Sequence, residues 1–351
     1  MLAVVFFHLD AQFGKPEVVG AVDRALTSVL RRGFLGVPIF FAISAFIVAL
    51  PFARRWLTRG HPVEVGRFYL RRLTRLEPPY LINLLALWLA GAALGHRALA
   101  DSGLGLLASS VYQHTQIFGH FSPINTVAWS LEVEFQFYLL APLLTLVFAM
   151  ERRWIRWAML ALACALVIGL RDVEQSRVRL SLLGQFEAFA VGLLVVDIYL
   201  TIWRGQLPGK PGWDVAGCLG WVGFFGFSGV ESHVLRAAFQ TPCLLAGMLG
   251  SLGGLWLGRI FGNRWVFTFG GMCYSFYLWH QWPLIQLAPW LRTWLAGHPS
   301  YLVRYVLAAA LILPFLFAAC ALLFITLEKP FMRRDWPARL AARLHRKRAQ
   351  V

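Results

Sequence analysis

The stretch Trp129-Ser-Leu-Glu-Val-Glu-Phe-Gln-Phe-Tyr-Leu-Leu-Ala-Pro142 opens an apolar run that continues to Met150. This run predicts a membrane-spanning helix, because about 20 predominantly apolar residues cross the hydrocarbon core of a bilayer. Glu132 and Glu134 lie inside it. A charged side chain at membrane depth costs roughly 2.5–3.5 kcal/mol on insertion scales, so such a residue usually faces a cavity and carries function.

The two glutamates face different sides of the predicted helix. At about 100° per residue, Glu134 shares a stripe with Ser130 and Tyr138, whereas Glu132 shares another with Trp129. The two carboxylates therefore point about 200° apart and are poorly placed to form a dyad. We expect one to face an internal polar site and the other a neighbouring helix or the interface. Two glutamates at a wet helix entrance are the alternative.

The composition excludes an ordinary soluble domain. The 351 residues are 58% hydrophobic and 14% charged, with a mean hydropathy of +0.61, whereas soluble domains carry about 25% charged residues. An all-α polytopic protein with the lipid bilayer as partner is indicated. The net charge of +16 would suit a nucleic-acid partner. However, the basic residues cluster between apolar segments, a distribution that membrane topology explains better, so we expect no nucleic-acid partner. The five cysteines lie in apolar segments without metal-ligand spacing, which indicates packing roles and no metal site.

The apolar segments predict about ten transmembrane helices in a single domain over residues 1–335, followed by a basic cytoplasmic tail at 336–351. Segment 14–32 is expected to be a polar loop, and 96–128 a long loop with an amphipathic piece at 104–118. The expected spans are 1–13, which is short, 33–52, 78–95, 129–150, 157–170, 184–203, 213–230, 236–257, 266–289 and 301–326.

The basic residues predict the orientation in the membrane. The segments 54–77, 151–157, 204–212, 258–265 and 327–351 hold 22 of the 33 basic residues, and the opposite loops hold 10. Cytoplasmic loops carry the excess of Lys and Arg. We therefore expect a multi-pass protein of the plasma or inner membrane with a cytoplasmic C-terminus. The sequence leaves its oligomeric state open.

Two histidines and two arginines are candidates for chemistry. His8 and His280 lie inside apolar segments, and an imidazole that titrates near neutrality can take a proton from a hydroxyl. Both could instead be structural. Arg72 and Arg75 are three residues apart, so they share a helix face, and their guanidinium groups suit phosphate oxygens. Anchoring on anionic lipid heads is the alternative for these arginines. Glu328, taken alone, is expected to be an exposed acid at a helix exit.

Together these motifs resemble the acyltransferase 3 family of integral membrane O-acyltransferases, and they follow the family order across nearly the whole chain. The matching segments are Val4-Val-Phe-Phe-His8, Gly33-Phe-Leu-Gly-Val-Pro-Ile-Phe-Phe41 with Ser44-Ala-Phe46, Phe68-Tyr-Leu-Arg-Arg-Leu-Thr-Arg75 with Pro78-Pro-Tyr80, Trp129-Ser-Leu-Glu-Val-Glu-Phe-Gln-Phe-Tyr138, Tyr274-Ser-Phe-Tyr-Leu-Trp-His280 and Glu328-Lys-Pro-Phe331.

The resemblance implies transfer of an acyl group, often acetyl, from a cytosolic acyl-CoA co-substrate to a hydroxyl, commonly on a cell-surface carbohydrate or glycoside. No bound cofactor is expected. The implied catalytic residues are His8 and Glu134. The implied substrate-binding residues are Arg72, Arg75, Trp129, Ser130, His280 and Glu328.

The chain departs from the family pattern in its first helix. The family carries a basic residue eleven positions before the histidine, which here would fall four positions before Met1. We therefore expect the natural start codon to lie upstream. Other departures are Ala45 in place of a usual glycine, Glu132 in place of a small residue, and Phe135 in place of glutamate or tryptophan.

The chemistry of acyl transfer fits these residues. A thioester already has a good leaving group, since a thiol pKa is about 8.5, whereas a placed general base activates an alcohol by roughly 10²–10⁴-fold. His8 could be that base, with Glu134 holding its imidazole as the acid of a triad does. The alternative is a transporter or flippase in which Glu134, His8 and His280 form a proton relay. The sequence contains no inverted repeat that favours it.

Overall fold

A computed structural model describes residues 1–13, 20–95, 99–169, 176–298, 300–333 and 336. These residues are helical or irregular, and no strand occurs among them. The helices are α1 (Leu2–Phe13), α2 (Ala21–Arg31), α3 (Gly36–Leu57), α4 (Val65–Ala93), α5 (Leu99–Ser110), α6 (His114–Phe118), α7 (Trp129–Leu144), α8 (Arg153–Gly169), α9 (Ser176–Arg179), α10 (Leu182–Thr201), α11 (Pro211–Gly226), α12 (His233–Gly253), α13 (Trp256–Phe261), α14 (Arg264–Gly271), α15 (Cys273–Trp279), α16 (Gln281–Trp294), α17 (Tyr301–Leu323) and α18 (Lys329–Phe331).

Five helical segments of the described chain are long and apolar enough to cross a membrane. They are Ala21–Leu57, Val65–Ala93, Thr126–Ala149, Ser176–Thr201 and Tyr301–Phe331. The predicted all-helical, multi-pass architecture is therefore confirmed, whereas the predicted count of about ten spans is not. Several other expected spans form helices too short to cross alone, such as α8 with 17 residues and α11 with 16, because about 20 are needed.

The expected span 266–289 is broken into three helices. The chain leaves α14 after Gly270-Gly271, and glycines destabilise a helix by about 1 kcal/mol each relative to alanine. It is interrupted again at His280, between α15 and α16. Pro283, three residues later, has no N–H for the carbonyl of Trp279. One candidate histidine therefore lies at a helix junction rather than inside a continuous span.

The predicted start of the third span at Pro78 is wrong, because α4 begins thirteen residues earlier at Val65 and continues through Pro78-Pro79. Pro78 has no N–H to donate to the carbonyl of Thr74, four residues before it. The indole Nε1 of Trp336 donates to that carbonyl instead, at 3.1 Å. A membrane helix tolerates proline where a neighbour satisfies the freed group in this way. Arg72 and Arg75 are consequently helical.

The prediction that 14–32 is a polar loop is wrong for its second half, and residues 14–19 lie outside the described residues. α2 is an amphipathic helix whose buried residues Asp23, Thr27 and Leu30 lie on one face. Asp23 Oδ1 accepts from the backbone N–H of Leu302 at 3.1 Å, so α2 is tied to the start of α17. The buried face of α2 could not be recognised from hydrophobic periodicity, since only one of its three buried residues is apolar.

The centre of the molecule is packed around α3, α7 and α10. The rings of Phe41 and Phe137 stack on Phe189 with centroids 4.7 and 4.6 Å away. α3 and α10 approach so closely that a Cβ on Gly192 would lie 2.3 Å from the carbonyl oxygen of Ala42. Small residues permit such backbone contact between membrane helices. This packing fixes α7, with its two glutamates, in the interior.

A buried ion pair joins α8 to α10. Arg156 donates to both carboxylate oxygens of Asp197, at 2.5 Å from Nε and 2.9 Å from the second terminal nitrogen. The two side chains are 3% and 0% exposed. The remaining guanidinium nitrogen donates to the carbonyl of Met150 at 2.7 Å. Bidentate geometry of this kind lets two charges remain in a low-dielectric interior.

Candidate active site

His8 and His280 face each other across the junction between α1 and the broken helix. Their ring centroids are 5.2 Å apart. His280 is fully buried, and its Nδ1 lies 2.8 Å from the carbonyl oxygen of Phe276 and 3.0 Å from that of Tyr277. Nδ1 therefore carries the proton, because a carbonyl can only accept. Nε2 is then an acceptor, and it has no hydrogen-bond partner among the described residues.

His8 lies on the wall of a large cavity. The side chain is half-buried, and the cavity has a volume of about 890 Å³, within the range of roughly 300–1,000 Å³ found for ligand pockets. Trp129 and Gln281 also line it. The cavity therefore brings the imidazole of His8, the indole of Trp129 and the amide of Gln281 around a space large enough for a substrate.

Side-chain hydrogen bonds tie the entrance of α7 to the histidine junction. The hydroxyl of Tyr277 donates to the carbonyl of Val127 at 2.5 Å and lies 3.1 Å from Oγ of Ser130. Thr126 donates to the side-chain carbonyl of Gln281 at 2.5 Å. Ser130 and His280, both predicted site residues, thus belong to one connected network. Tyr277 lies in a segment that matches the family pattern, which assigns it no role, and Thr126 and Gln281 lie outside all of the matching segments.

Glu134 lies in a second cluster, one helical turn further along α7. Its carboxylate accepts short hydrogen bonds from the hydroxyls of Ser44 and Tyr138. The guanidinium carbon of Arg72 lies 5.2 Å from the ring centroid of Tyr138, a cation–π distance. Glu134 was expected to hold the imidazole of His8, but its hydrogen bonds among the described residues come from Ser44 and Tyr138. It lies on the side of the arginines.

The other predicted residues of this cluster are more loosely joined. Arg75 is exposed and acts electrostatically on both Glu134 and Glu328. Glu328 is 2% exposed and accepts from the backbone N–H of Ser275 at 3.0 Å and from its hydroxyl at 2.6 Å. It is therefore not an exposed acid at a helix exit. It binds the start of α15 and so holds the helix that ends at His280.

Glu132 and Glu134 do not pair, as their predicted directions require. Glu132 accepts from the backbone N–H of Thr115 at 2.9 Å and from its hydroxyl at 2.5 Å. The two glutamates are 0% and 7% exposed, which excludes the wet helix entrance. Glu132 joins α6 to α7, while Glu134 faces the interior cluster. The expected division between an internal site and a neighbouring helix is confirmed.

A small apolar pocket adjoins Arg72. It has a volume of about 80 Å³ and is lined by parts of α4 and α7, including Leu76, Phe135 and Tyr138. Among the described residues, none lines both this pocket and the large cavity. The predicted residues are thus divided between two neighbouring regions. His8, His280, Trp129 and Ser130 lie around the large cavity or its hydrogen-bond network, and Glu134, Arg72 and Arg75 lie around the small pocket.

Apolar spanning helices, buried carboxylates and a histidine on a cavity wall with a second histidine beside it define a multi-pass membrane protein with a candidate catalytic centre. The chain matches the sequence model of the family described as "Acyltransferase domain" over residues 1–327, and it belongs to this family. The predicted family is confirmed.

Curated relatives carry names of the same kind. Peptidoglycan O-acetyltransferase OatA of Listeria monocytogenes serovar 1/2a is 23% identical over 323 residues, covering 82% of this chain and 48% of that protein. Exopolysaccharide production protein ExoZ of Rhizobium meliloti is 27% identical over 334 residues, covering 89% and 93%. The chain spans about half the length of the Listeria protein and of similar Staphylococcus aureus relatives. No solved structure matches it.

Proposed function

We propose that the protein is a membrane-embedded O-acyltransferase that moves an acyl group, most simply acetyl, from a cytosolic acyl-CoA to a hydroxyl of a carbohydrate or glycoside. The observation that carries this proposal is the imidazole of His8 on the wall of a substrate-sized cavity, with the open acceptor of His280 beside it. The names of the relatives support acetyl as the group and a cell-envelope glycan as the acceptor.

In the proposed reaction His8 is the general base. Its unprotonated nitrogen takes the proton of the acceptor hydroxyl while the oxygen attacks the thioester carbonyl carbon. The C–S bond then breaks, and the leaving thiolate takes the proton from the imidazolium. The products are the ester and free CoA, and the histidine is regenerated neutral. An acyl-histidine intermediate would use the same side chain.

His280 is the proposed positioning residue for that base. When His8 accepts a proton on one nitrogen, its other nitrogen carries N–H and needs an acceptor. Nε2 of His280 is such an acceptor, and a centroid separation of 5.2 Å brings it within reach of a modest side-chain rotation. Catalytic hydrogen bonds are often long before substrate binds. Glu134 is not needed for this step.

The arginine cluster is the proposed donor side. Arg72 is half-buried beside the small apolar pocket, and Arg75 is exposed on the same face of α4. Guanidinium forks match the phosphates of CoA. Glu134 would position Arg72 through Tyr138, whose ring the guanidinium contacts and whose hydroxyl bonds the carboxylate. With the arginines cytoplasmic, as the basic residues indicate, His8 and its cavity receive the acceptor from the opposite side of the plasma or inner membrane.

A transporter with the same buried groups is the competing function, and cleavage of the donor separates the two. Purified protein in lipid nanodiscs is incubated with acetyl-CoA labelled in the acetyl group, with and without cell-envelope glycans. The proposal expects release of free CoA and appearance of label in the glycan fraction. Acetyl-CoA that stays intact with every glycan fraction would contradict the enzyme and leave the transporter.

A further inference from the structure

The large cavity carries two arginines on the wall away from the donor side. Arg179, at the end of α9, and Arg236, in the first turn of α12, both line it. A terminal guanidinium nitrogen of Arg236 lies 2.5 Å from Nδ1 of His233, so the two side chains are in contact on the same turn of α12. The two positive charges come from different helices and line the same cavity.

Basic side chains outnumber acidic ones in this lining. Among the described residues that line the cavity, Glu187 is the one carboxylate, and His8 and His233 are the titratable groups beside it and the two arginines. The positive-inside rule does not account for the two arginines, because in the predicted orientation they lie on the side opposite the cytoplasm.

The rest of the lining suits a carbohydrate. Trp129 offers an aromatic face, and three glutamines line the wall. Each glutamine is fixed through one half of its amide: Gln185 donates to the carbonyl of Arg179 at 3.0 Å, Gln240 donates to that of Phe224 at 2.8 Å, and Gln281 accepts from Thr126 at 2.5 Å. The other half of each amide is left for hydroxyls, because an amide side chain both donates and accepts.

We infer that the cavity takes an anionic carbohydrate, whose carboxylate or phosphate is bound by Arg179 and Arg236 while a hydroxyl reaches His8. This inference rests on the proposed function for its assignment of the ligand as acyl acceptor. The anionic group and the reacting hydroxyl belong to one acceptor, because the arginines and His8 line the same cavity. The charge pair sets which glycan is chosen, and the histidine pair performs the transfer.

The test is equilibrium binding, which does not depend on turnover. The full chain in zwitterionic nanodiscs is titrated, by ligand-observed NMR, with methyl glucoside, methyl glucuronide and glucose 1-phosphate. At least one charged sugar should bind about tenfold or more tightly than the neutral one, as charge-assisted hydrogen bonds do. The difference should shrink with added salt. Whether the glucuronide or the phosphate gains more identifies the anionic group.

Three variants assign the preference to the cavity. Arg179→Gln and Arg236→Gln should each remove most of the gain for the charged sugar and leave methyl glucoside unchanged, and Arg236→Lys should keep part of it. Arg177→Gln is the matched control, since Arg177 is exposed on the same short helix and donates to the carbonyl of Ile117 at 2.9 Å.

Equal affinities for all three sugars, no measurable binding of either charged sugar, or a preference that survives both glutamine variants would each overturn the inference. The failure of the proposed function is a different result. In that case the charge preference is present and is lost in the two variants, but the purified protein leaves acetyl-CoA intact. The cavity would then be the anionic-sugar site of a transporter.

Discussion

His280 combines full burial with one hydrogen-bonded and one open ring nitrogen. A buried polar atom without a partner costs about 1–3 kcal/mol, and a fold retains such a cost where the atom has a function. Both backbone carbonyls that hold Nδ1 belong to the last turn of α15, and that of Phe276 also accepts the backbone N–H of His280 at 3.1 Å. The broken helix and the open acceptor are therefore parts of one arrangement.

Replacing His280 tests this arrangement through two substitutions of similar polarity. Asparagine can keep a donor near the position of Nδ1 but has no acceptor at that of Nε2, whereas glutamine can reach the position of Nε2. We expect His280→Asn to lower kcat by about tenfold to a hundredfold, below the 10²–10⁴-fold expected for the base itself. His280→Gln should lose less, and KM for acyl-CoA should stay unchanged in both. Equal losses in the two variants, or a rise in donor KM, would assign His280 a structural role.

Arg72 and Arg75 are predicted to bind the donor. Arg72→Ala and Arg75→Ala should weaken acyl-CoA binding, and each lysine variant should restore it only in part, because a point charge does not replace a guanidinium fork. Isothermal titration with a non-hydrolysable acyl-CoA analogue measures this directly. Arg71→Ala, exposed on the same helix, is the control. Equal affinity in wild type and both alanine variants would leave these arginines as lipid anchors.

The candidate residues predicted from the sequence lie around the large cavity and around the small pocket beside Arg72. His8, His280 and Glu134 were recognisable because titratable groups are costly in apolar segments, and Arg72 because its spacing from Arg75 places both on one helix face. Their partners were not recognisable, since Ser44 and Glu134 are 90 residues apart and Thr126 and Gln281 are 155 apart. Periodicity gives the direction of a side chain on its own helix, whereas the helix opposite depends on tertiary packing.

The ion pair between Arg156 and Asp197 is a contact between helices that the sequence did not predict. The sequence places Arg156 in a predicted basic loop and Asp197 in a predicted apolar span. In the structure they form a buried bidentate ion pair between α8 and α10. α10 also packs against α3 through Gly192. The ion pair therefore fixes the helix that supports α7 and the cavity wall.

This ion pair should matter more than an exposed one. Removing one partner by Arg156→Ala or Asp197→Asn leaves the other charged or polar group buried and should cost about 3–5 kcal/mol of stability. The double variant Arg156→Met with Asp197→Leu should regain much of that loss. Arg67→Ala is the control, since its pair with Glu64 is 71% and 62% exposed and such pairs contribute about 0–1 kcal/mol. Thermal unfolding in detergent measures all four, and similar shifts for Arg156→Ala and Arg67→Ala would contradict this account.

Helix ends were the least predictable elements. Pro78-Pro79 indicated a helix start, but Trp336 satisfies the carbonyl that Pro78 leaves open, so α4 continues. Conversely, the apolar run 266–289 indicated one span, but glycines and Pro283 divide it. In both cases the sequence contained the breaking residue, and the outcome depended on whether a distant group compensated for it.

For the whole molecule, hydropathy and charge predicted the class and left the helix count open. An all-helical membrane protein follows from composition, because only helices or closed barrels satisfy their backbone groups in lipid. The number of spans did not follow, since short helices such as α8 and α11 depend on neighbouring helices or on local thinning of the bilayer for their placement.

The orientation remains a prediction with a direct test. Reporter fusions after residues 65 and 345 should both report the cytoplasm, because 22 of the 33 basic residues fall in the segments assigned to that side. A fusion after residue 230 is the control and should report the opposite side, where the large cavity is proposed to open. A cytoplasmic signal after 230, or an external one after 65 or 345, would reverse or break the proposed path from donor to acceptor.

The rate of acyl transfer by His8→Ala tests the central claim most directly. The variant should remain folded and inserted, since a single half-buried side chain on α1 contributes little packing. Loss of the general base should lower transfer by about 10²–10⁴-fold, or roughly 3–5.5 kcal/mol in the barrier. His61→Ala, which removes an exposed histidine between α3 and α4, should transfer at the wild-type rate. Near-normal turnover by His8→Ala at normal expression would contradict the account.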